Sequence, residues 1–442
     1  MIKKVVIIII LSIALAGFLF LKPFLFQKSI EARLIDRLPN ADFIGRLNLL
    51  ALAEETSEML YYHKLPFRDL ASKEFLLSQG KSYGLNLQKP IYLFGNELGE
   101  WGCLIYVNDS SKIALGIQRI RKSISVNDTI IEKQKVYFNK KDNVFMHYGL
   151  SYLLIYKGSN IKKTLNSIVQ AKYKKVHPVW SRFLDDKHFR KENLVIYANW
   201  NKFKSFGFET AIFAHDSDSL SFNLKSYFKK KTPFYFKQKE SGLAFKSILN
   251  ANKTVELHLD VSELKNHLED PLILEVMKLG KRIGFPFNDF IRAWEGDLCF
   301  YEGGTEKIKE SYIETELDEN FNSTEVQKYR DISVPGYSLY LSTNKNGATF
   351  INKLFSKGIM TSEGDKIRVL YSPLLSLKQT KSYIQLYSGI RAPKLENSSN
   401  NYLVWKDKGT MYSFKIDSLN KNEIFGSLQI PVKRIFRRNK LI

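Results

Sequence analysis

The stretch that decides the fold is DFIGRLN, Asp42 to Asn48, which runs directly into LLALAEETSEML, Leu49 to Leu60. The first part is a short apolar run of the kind that forms a β-strand, and it ends in Asn. Asn is one of the residues whose side chain caps the first turn of a helix, and the segment that follows is compatible with a helix. The pattern therefore predicts one strand followed at once by one helix.

The same strand-then-helix pattern recurs along the chain. Three more apolar runs end in a polar capping residue and lead into a helix-compatible segment: Leu194 to Asn199, Thr254 to Asp260 and Tyr337 to Thr343. A second element also occurs twice, because Ser82 to Phe94 parallels Arg282 to Tyr301 in its order of Gly, Pro and strand. These recurrences predict a body of repeated strand–helix units, which either arose by duplication or are simply common in α+β proteins.

Alternating apolar and polar residues between these units predict antiparallel sheets. Lys135 to Tyr156 and Ser219 to Lys239 have the alternation of β-meanders. The C-terminal part is also strand-like, and turn-rich pieces separate its runs. Those runs are Asp365 to Tyr371, Ser382 to Tyr387, Tyr402 to Trp405, Met411 to Ile416 and Glu423 to Ile430. The predicted fold class of the body is therefore α+β, with mixed or antiparallel sheets.

An uncharged run of seventeen residues, Val5 to Leu21, is unlike any later stretch of the chain. As a helix it spans roughly 25 Å, near the lower limit for crossing a membrane. We expect an N-terminal transmembrane helix that is kept, whereas the spacing of Ala14-Leu15-Ala16 leaves cleavage after Ala16 as the alternative. No Cys ends the run, which excludes a lipoprotein anchor at that point. The residues predicted to form the membrane anchor are Val5, Ile10, Leu15, Phe20 and Leu21.

One apolar run followed by a long polar body predicts a single-pass protein of the inner (cytoplasmic) membrane. We expect its body to lie on the periplasmic side. Basic residues flank both ends of the apolar run, so their distribution does not decide the orientation, but long following domains are translocated largely regardless of charge. A body of about 400 residues exceeds what one core usually holds. We therefore predict an anchor at residues 1–28, a first α+β domain at 29–215 and a second at 216–442, with the seam in the polar stretch from His215 to Ser219.

The formal net charge of +22 invites a nucleic-acid interpretation, which the composition argues against. Lys outnumbers Arg by about three to one, whereas Arg is expected to dominate where bidentate phosphate contacts are needed. A cationic surface close to anionic lipid headgroups or acidic envelope polymers fits better. No nucleic-acid partner is expected.

The strongest surface candidate is Ser221 to Lys239, where cationic and aromatic residues interleave. One interpretation is a cationic, aromatic hairpin that touches an anionic lipid or glycan. The other is that the aromatic side chains pack inward and the lysines simply face solvent. The candidate contact residues are Lys225, Lys229, Lys230, Lys231, Lys237 and Lys239.

The sequence has no Gly-rich phosphate loop, nucleophile elbow, HExxH helix or paired CxxC motif. Cys103 and Cys299 lie in apolar surroundings, which favours buried free thiols over a disulfide. The closest approach to a metal site is His258, Asp260 and His267, of which the first two share one face of a strand. A strand edge and a helix surface explain that set without a metal.

Two other groups of polar residues have simple explanations. His177 and His188 flank Asp185 and Asp186 in what reads as a loop and an exposed helix end. The run of acids from Glu302 to Glu319 lacks the DxDxDG spacing of a calcium loop and predicts a solvated acidic loop. We therefore predict no catalytic, cofactor-binding or metal-binding residue and no cofactor.

Three short motifs carry a resemblance to a known class of proteins. They are PNADFIGRLN at Pro39 to Asn48, GLNLQKPIYLF at Gly84 to Phe94 and AWEGDLCFY at Ala293 to Tyr301. Together with the apolar N-terminal run, they resemble uncharacterised, membrane-anchored bacterial envelope proteins of the domain-of-unknown-function class. The resemblance implies an extracytoplasmic α+β body of repeated units, and it supplies no catalytic residues.

Three functions from different classes follow from these observations. The first is a non-enzymatic envelope protein, tethered by its N-terminal helix, that acts as a structural or interaction module for another envelope protein or an anionic lipid or glycan. The second is a carrier for a lipid or other apolar ligand, which a large apolar cavity would favour. The third is a hydrolase of envelope polymers, which would need convergent carboxylates or a Ser/His pair that the sequence does not show.

Overall fold

The computed structural model describes residues 33–62, 72–122, 124–170, 189, 191–218, 221–246, 251–317, 323–407 and 410–430. Of these residues, 48% are in strands and 24% in helices, and the strands form a large antiparallel sheet. The fold is therefore mostly β, and the predicted α+β class is wrong. The physical reason is length: the helices stay short, whereas two neighbouring strands run for 24 and 21 residues.

The transmembrane part of the predicted fold class is also contradicted within the described ranges. No helix there is both long and apolar enough to cross a membrane. Helix α1, Leu49–Tyr62, is 14 residues long, whereas crossing the hydrocarbon core takes about 20 apolar residues. The predicted anchor itself, Val5 to Leu21, lies outside the described residues.

The chain divides into two compact units. The first takes in the described residues of Met1–Ile44 and Leu77–Asp186, and the second those of Gly45–Leu76 and Lys187–Ile442. Strand β1 and helix α2 each contain a boundary, so their two ends belong to different units. Their ranges are Phe43–Leu47 for β1 and Lys73–Ser82 for α2.

The first unit is an antiparallel sheet with two helices of its own. Its strands pair in the order β2–β3–β7–β6–β5–β4. The predicted meander from Lys135 to Tyr156 is confirmed as β5, β6 and β7. The elements are β2 Ile91–Gly95, β3 Trp101–Tyr106, α3 Ser110–Arg121, β4 Asn127–Ile131, β5 Gln134–Asn139, β6 Val144–Tyr148, β7 Tyr152–Lys157 and α4 Ile161–Gln170.

The core of the first unit includes buried side chains of α4 and of the sheet. Ile161, Leu165 and Ile168 are buried at positions i, i+4 and i+7 of that helix, the spacing that puts apolar side chains on one helix face. Leu104 and Leu154, opposite each other on β3 and β7, are both fully buried. These buried side chains, with Ile113 and Ile117 of α3, contribute to the hydrophobic stabilisation of the unit.

The second unit contains most of the strands, which are antiparallel throughout the main sheet. They pair in the order β8–β9–β10–β23–β22–β21–β13–β14–β15–β19–β18. Strand β11 adds to the end of β13, and two small pairs, β12–β20 and β16–β17, stand apart from the main sheet.

The ranges of these strands are β8 Leu194–Ala198, β9 Phe208–Asp218, β10 Ser221–Lys230, β11 Lys237–Gln238, β12 Gly242–Phe245, β13 Ala251–Asp260, β14 Trp294–Leu317, β15 Ser323–Thr343, β16 Met360–Glu363, β17 Lys366–Val369, β18 Ser376–Gln379, β19 Tyr383–Tyr387, β20 Leu395–Ser398, β21 Tyr402–Asp407, β22 Thr410–Leu419 and β23 Glu423–Ile430. The helices are α5 Asn201–Ser205, α6 Pro271–Lys281, α7 Phe287–Ala293 and α8 Gly347–Ser356.

The sheet of the second unit is covered on both faces at its centre. On one face, Trp294 and Leu341 pack with Phe350 of α8 in the main hydrophobic cluster. On the other face, the β12–β20 pair covers Cys299 and Tyr340. Because the side chains of a strand alternate between faces, β14 contributes to both layers.

Three of the four predicted strand-then-helix transitions occur as predicted, and in the fourth a 3₁₀ turn takes the place of the helix. Strands β1, β8 and β15 lead into α1, α5 and α8, and β13 leads into a 3₁₀ turn, Leu264–Asn266, and then α6. The predicted seam near His215 falls within β9, which belongs wholly to the second unit. The predicted division into domains at residues 29–215 and 216–442 stays a prediction.

A matched pair of leucines tests the core of the first unit. Leu104 is fully buried, whereas Leu98, in the turn between β2 and β3, is 84% exposed. We expect Leu104→Ala to lower the free energy of unfolding by about 2–5 kcal/mol, because it removes buried methyl groups and leaves a cavity. Leu98→Ala should change it by less than about 0.5 kcal/mol. Urea unfolding measures both, and equal effects would contradict this assignment of the core.

Candidate functional site

Five of the six lysines predicted to contact an anionic surface form ion pairs with carboxylates of the protein. Lys231 is exposed. Because ion pairs neutralise much of this charge locally, the described residues do not present a free cationic face here, and contact with an anionic surface stays a prediction. Four of these lysines form five ion pairs: Lys225 with Glu192 and Asp216, both at 3.1 Å, Lys229 with Glu423 at 3.3 Å, Lys237 with Glu263 at 3.3 Å, and Lys239 with Asp297 at 3.1 Å.

The fifth lysine, Lys230, is buried and has a structural role. Its Nζ lies 2.5 Å from Oδ2 of Asp270, and Oδ1 of the same carboxylate accepts a hydrogen bond from the backbone N–H of Leu272 at 2.9 Å. Asp270 therefore caps α6 and neutralises Lys230 at the same time. The segment from Ser221 to Lys239 is also not a hairpin by itself, because β10 pairs with β9 and β23, whereas β11 pairs with β13.

A buried histidine lies between two carboxylates in the second unit. Glu256 and His258 share one face of β13 because they are two residues apart, and His258 lies opposite Asp297 of β14. The Nδ1 atom of His258 is 2.9 Å from Oδ1 of Asp297, and its Nε2 atom is 3.3 Å from Oε1 of Glu256. His258 has no exposed surface. We call Glu256, His258 and Asp297 the His258 cluster.

Several neighbouring elements hold the His258 cluster in place. The Ser398 hydroxyl of β20 donates to Glu256, and the His258 backbone N–H donates to Oδ1 of Asn401 at 2.7 Å. On β12, a Cβ at position 242 would overlap both His258 and Asp297, so only Gly fits there. The cluster therefore ties the β12–β20 pair to the main sheet.

Mutual hydrogen bonding favours the charged form of each group in the His258 cluster. Burial alone lowers the pKa of His258, but the hydrogen bonds to Asp297 and Glu256 outweigh it and raise that pKa above its usual value. Burial likewise raises the pKa of each carboxyl, and the hydrogen bonds from His258 reverse this and lower it. The arrangement therefore favours a positive charge on His258 between the negative charges of Glu256 and Asp297.

A polar cleft of about 230 Å³ adjoins the His258 cluster, and its walls include Glu256, Cys299 and Tyr402. Burial raises the pKa of Cys299 to about 12 and that of Tyr402 to about 12, so both stay protonated near neutral pH. Both ring nitrogens of His258 are already engaged. The cleft therefore presents neither a thiolate nor a free imidazole nitrogen that could act as a nucleophile or base. The role of the His258 cluster that the geometry supports is structural, because it links neighbouring strands.

The predicted metal candidates are not brought together by the fold. Asp260 is exposed and binds the backbone N–H of Ser262 at 3.0 Å, while His267 stacks on Tyr235 with the ring centres 3.7 Å apart. In the part of the chain that the structure describes, no group of three or more His, Cys, Asp or Glu side chains is placed to hold a metal ion. The set of His177, Asp185, Asp186 and His188 lies outside the described residues.

The two cysteines are buried free thiols, as the sequence predicts. Burial raises the pKa of Cys103 to about 11. The reactive form of a cysteine is the thiolate, so neither thiol is poised to act as a nucleophile.

In the first unit, the buried carboxylate of Glu100 organises a loop and the start of a helix. Its two oxygens accept hydrogen bonds from the side chains of Asn96, Tyr156, Ser159 and Asn160 at 2.7–3.1 Å and from the Ser159 backbone N–H at 2.8 Å. The amide of Asn160, helped by Ser159 and Asn96, outweighs burial and lowers the pKa of Glu100 to about 2. The group is an ionised carboxylate at neutral pH, held entirely by neutral donors.

The predicted acidic loop from Glu302 to Glu319 is wrong as far as residue 317, because it is part of strand β14. From Thr305 to Leu317, β14 pairs with Pro335 to Ser323 of β15. Within the described residues, no third strand pairs with either of these two stretches. We call residues 305–317 and 323–335 the arm, and thirteen residues of extended chain make it about 40 Å long.

Two glycines separate the arm from the main sheet. Gly303 and Gly304 have φ values of 130° and 71°, and the register of β14 against β15 shifts between Glu302 and Thr305. A β-bulge of this kind bends a strand and increases its twist. The pairing of β14 with β13 stops at Gly303, so the bulge marks where the arm leaves the sheet.

The two faces of the arm differ in how their charges are used. On the face with even-numbered residues, which we call the paired face, ion pairs cross between the strands. They are Arg330 with Glu310 at 2.6 Å, and Lys328 with Glu314 at 2.8 Å and Glu316 at 2.6 Å. Hydrogen bonds from Lys328 to Glu314 lower the pKa of that carboxyl.

All fourteen residues on the other face, which we call the open face, are exposed. The large apolar side chains there are Ile313, Leu317 and Tyr329, which are 68%, 63% and 65% exposed. The open face consists of Thr305, Lys307, Lys309, Ser311, Ile313, Thr315 and Leu317 of β14 and Ser323, Glu325, Gln327, Tyr329, Asp331, Ser333 and Pro335 of β15. Exposed apolar residues on a ribbon with two unpaired edges are typical of an interaction surface.

The sequence contained a signal for the arm that the acidic residues obscured. No Gly or Pro occurs from Thr305 to Val334, and β-branched or aromatic residues such as Ile308, Ile313 and Ile332 recur on both sides of the tip. Weighing that signal above the carboxylates would have predicted a long hairpin.

A cleft of about 940 Å³ lies beside the base of the arm. Its apolar lining includes Ile308, Ile332 and Val334 of the arm, with Leu374 and Ile390 from the loops on either side of β18 and β19. Charged side chains such as Glu363 and Lys366 also border it. Its size lies at the upper end of the range for small-molecule sites.

The His258 cluster should make the free energy of unfolding decrease at alkaline pH. Because the pKa of His258 is raised in the folded chain above its value of 6.5, its stabilisation is complete below about pH 6.5 and is lost as the pH rises through the folded pKa. We expect His258→Gln to cost about 3–5 kcal/mol at pH 6, because two carboxylates lose their buried partner. The cost should shrink as the pH rises, as urea unfolding can measure.

The control for this variant is His267→Gln, since 39% of the His267 side chain is exposed. It should change the free energy of unfolding by less than about 1 kcal/mol at every pH. A cost of His258→Gln that is constant with pH, or that grows toward alkaline pH, would contradict the charged cluster.

Glu100 makes the first unit sensitive to acid. With a pKa of about 2 when folded and 4.5 otherwise, its stabilisation is complete above about pH 4.5 and is lost as the pH falls from there toward 2. We expect Glu100→Gln to cost at least about 2 kcal/mol at neutral pH and much less at pH 3. The control is Glu97→Gln at an exposed position, which should change the free energy of unfolding little at either pH. If Glu100→Gln lowers the free energy of unfolding as much at pH 3 as at neutral pH, the ionised Glu100 carboxylate does not have this stabilising role.

Comparisons with known proteins are sparse. No protein-family model matches the chain, and no curated protein matches it. Among solved structures, crystal form IV of TP0453 is similar at a TM-score of 0.31 and 10% identity, over 45% of this chain and 81% of that chain. Crystal form I of TP0453 gives a TM-score of 0.30 and 10% identity, over 47% and 81% of the two chains. At these TM-scores the likeness carries no argument about fold or function.

Proposed function

We propose that this chain is a non-enzymatic binding protein and that the open face of the arm is its binding element. The observation that carries the proposal is the exposure of all fourteen residues on that face, including Ile313, Leu317 and Tyr329. A soluble surface normally keeps large apolar side chains scattered. Here three of them lie on one face of a structure about 40 Å long.

The contrast between the two faces supports this function. The paired face satisfies its charges by ion pairs between its own strands, at Glu310–Arg330 and around Lys328. On the open face no described partner forms an ion pair with Lys307, Lys309, Glu325 or Asp331, each of which is exposed. A face with exposed apolar groups and unused charges gains more from a partner than one whose groups are already paired.

The backbone of the arm adds a second means of binding. Beyond Gly303 the outer edges of both strands lack a neighbouring strand in the described residues. Isolated two-stranded ribbons are marginally stable in water. A partner that packs on the arm would stabilise it while burying Ile313 and Leu317, each worth about 1.5–3 kcal/mol when fully buried.

The polar groups in the body support binding over catalysis. His258 has both ring nitrogens engaged by Asp297 and Glu256, and Ser398 donates to Glu256. A serine hydrolase would need a histidine nitrogen within reach of the serine oxygen. The predicted placement of the body outside the cytoplasm is independent of the arm and stays a prediction.

The cleft at the base of the arm favours a second candidate, a carrier for an apolar ligand. Its volume of about 940 Å³ and its lining by Ile308, Ile332 and Leu374 suit such a ligand. The charged groups at its border, including Glu363 and Lys366, make it less apolar than a lipid site would be. We therefore rank this function second.

Photo-crosslinking from the two faces of the arm tests the first function. Tyr329 lies on the open face and Tyr312 on the paired face, where its ring contacts Arg330 at 5.5 Å. A benzophenone amino acid in place of Tyr329 should give one adduct of defined mass in cells, because a partner covers that face. The same group in place of Tyr312 is the matched control and should give little crosslinked adduct. Absence of any discrete adduct from position 329, or equal yields of adduct from both positions, would contradict the proposal.

A further inference from the structure

We infer that the partner of the open face is the open face of a second copy of this chain, an inference that rests on the proposed function. The open face is electrostatically self-complementary when one arm is turned end for end on another. Its charged residues are Lys307, Lys309, Glu325 and Asp331. Lys307 and Lys309 lie toward the base of the arm together with Asp331, which is opposite Lys309, so the base carries a net positive charge, whereas Glu325 lies near the tip.

The register of the two strands defines seven levels along the open face. The middle level is the pair Ser311 and Tyr329. Turning a second arm end for end about that level brings the level of Lys307 against the level that holds Thr315 and Glu325. A two-fold axis repeats this contact, so that each copy places its Lys307 near the other's Glu325 and the interface is isologous.

The apolar residues of the open face fit the same arrangement. The two copies of Tyr329 meet at the middle level, where aromatic rings can stack. Ile313, one level nearer the tip, meets the level of Lys309, whose aliphatic stem can cover an apolar side chain. Leu317 at the tip meets Thr305 and Pro335 at the base. Each exposed apolar side chain therefore gains a neighbour.

The charge balance of the open face argues for a second copy over other partners. The whole chain carries a net charge of +22, so two copies repel each other at most of their surfaces. The open face has two lysines and two carboxylates and is neutral, which removes that repulsion locally. An anionic lipid or a nucleic acid would meet Glu325 and Asp331 on this face and four glutamates, Glu306, Glu310, Glu314 and Glu316, on the paired face.

The size of the contact predicts a weak dimer. A ribbon about 40 Å long and about 10 Å wide offers roughly 400 Å² per copy, so the pair buries roughly 800 Å² in total. Stable interfaces bury about 1,200–2,000 Å². Self-association should therefore depend on protein concentration, and it should weaken as salt screens the Lys307–Glu325 contacts.

Charge-swap variants of the full-length chain test this interface by sedimentation velocity. Lys307→Glu alone and Glu325→Lys alone should each raise the dimer dissociation constant by about tenfold, because each places like charges together twice. The double variant, Lys307→Glu with Glu325→Lys, should return it to within about threefold of the original. An equimolar mixture of the two single variants should form heterodimers more readily than either single variant forms homodimers.

The control is Lys357→Glu, an exposed residue at the end of α8 that changes the net charge by the same amount as Lys307→Glu. It should leave the dissociation constant within about twofold, because residue 357 is not on the open face. Self-association would be overturned if the chain stayed monomeric at every concentration. It would also be overturned if Lys307→Glu and Glu325→Lys changed the dimer dissociation constant no more than Lys357→Glu does.

The crosslinking result separates failure of this inference from failure of the proposed function. An adduct from position 329 with twice the mass of the chain supports self-association. An adduct with a different protein, together with a monomeric purified chain, overturns self-association and leaves the arm as a binding element. No adduct from position 329 overturns both.

Discussion

The second unit depends on the buried hydrogen bond between His258 and Asp297, because it fixes β13 against β14 at the point where the sheet is covered on both faces. A charged histidine inside a protein is stable only when its charge is compensated, which Glu256 and Asp297 do from two strands. The same group constrains β12, where only Gly242 fits beside the imidazole. Several elements of the sheet therefore share one electrostatic constraint, and none of them can shift register without leaving a charge unpaired.

Strand β14 has two different environments along its length. At its N-terminal end, residues such as Cys299 are buried between the sheet and the β12–β20 pair. Beyond the bulge at Gly303 and Gly304, the same alternation of side chains continues, but one whole face is exposed. The rigid body thus holds the base of an arm that has little stabilisation of its own, since two-stranded ribbons are marginal in water. Support from the body is what allows an otherwise unstable ribbon to present a defined surface.

Local features of the fold could be predicted from the sequence, and features that depend on distant partners could not. The transition at Asn48 was predictable because a polar residue after an apolar run is sufficient to end a strand and begin a helix. The burial of Lys230 was not, because it requires Asp270, forty residues further along the chain. The pairing of His258 with Asp297 likewise depends on the register of β13 and β14, which the sequence leaves open. The sequence predicted the shared face of alternate residues on β13, but it favoured Asp260 over Glu256 as the neighbour of His258.

The high net charge and the arm are connected through the distribution of carboxylates. On the body, many lysines are neutralised by nearby acids, as Lys225 is by Glu192 and Asp216. Unpaired lysines elsewhere leave the body strongly cationic, so two copies approach each other against a repulsion that screening reduces but does not remove. The arm concentrates glutamates on its paired face and balances its charges on the open face. It also holds that surface up to about 40 Å from the sheet, several times the distance of about 8 Å over which salt screens charges in physiological conditions. An arm of that length lets neutral surfaces meet while the cationic bodies remain apart.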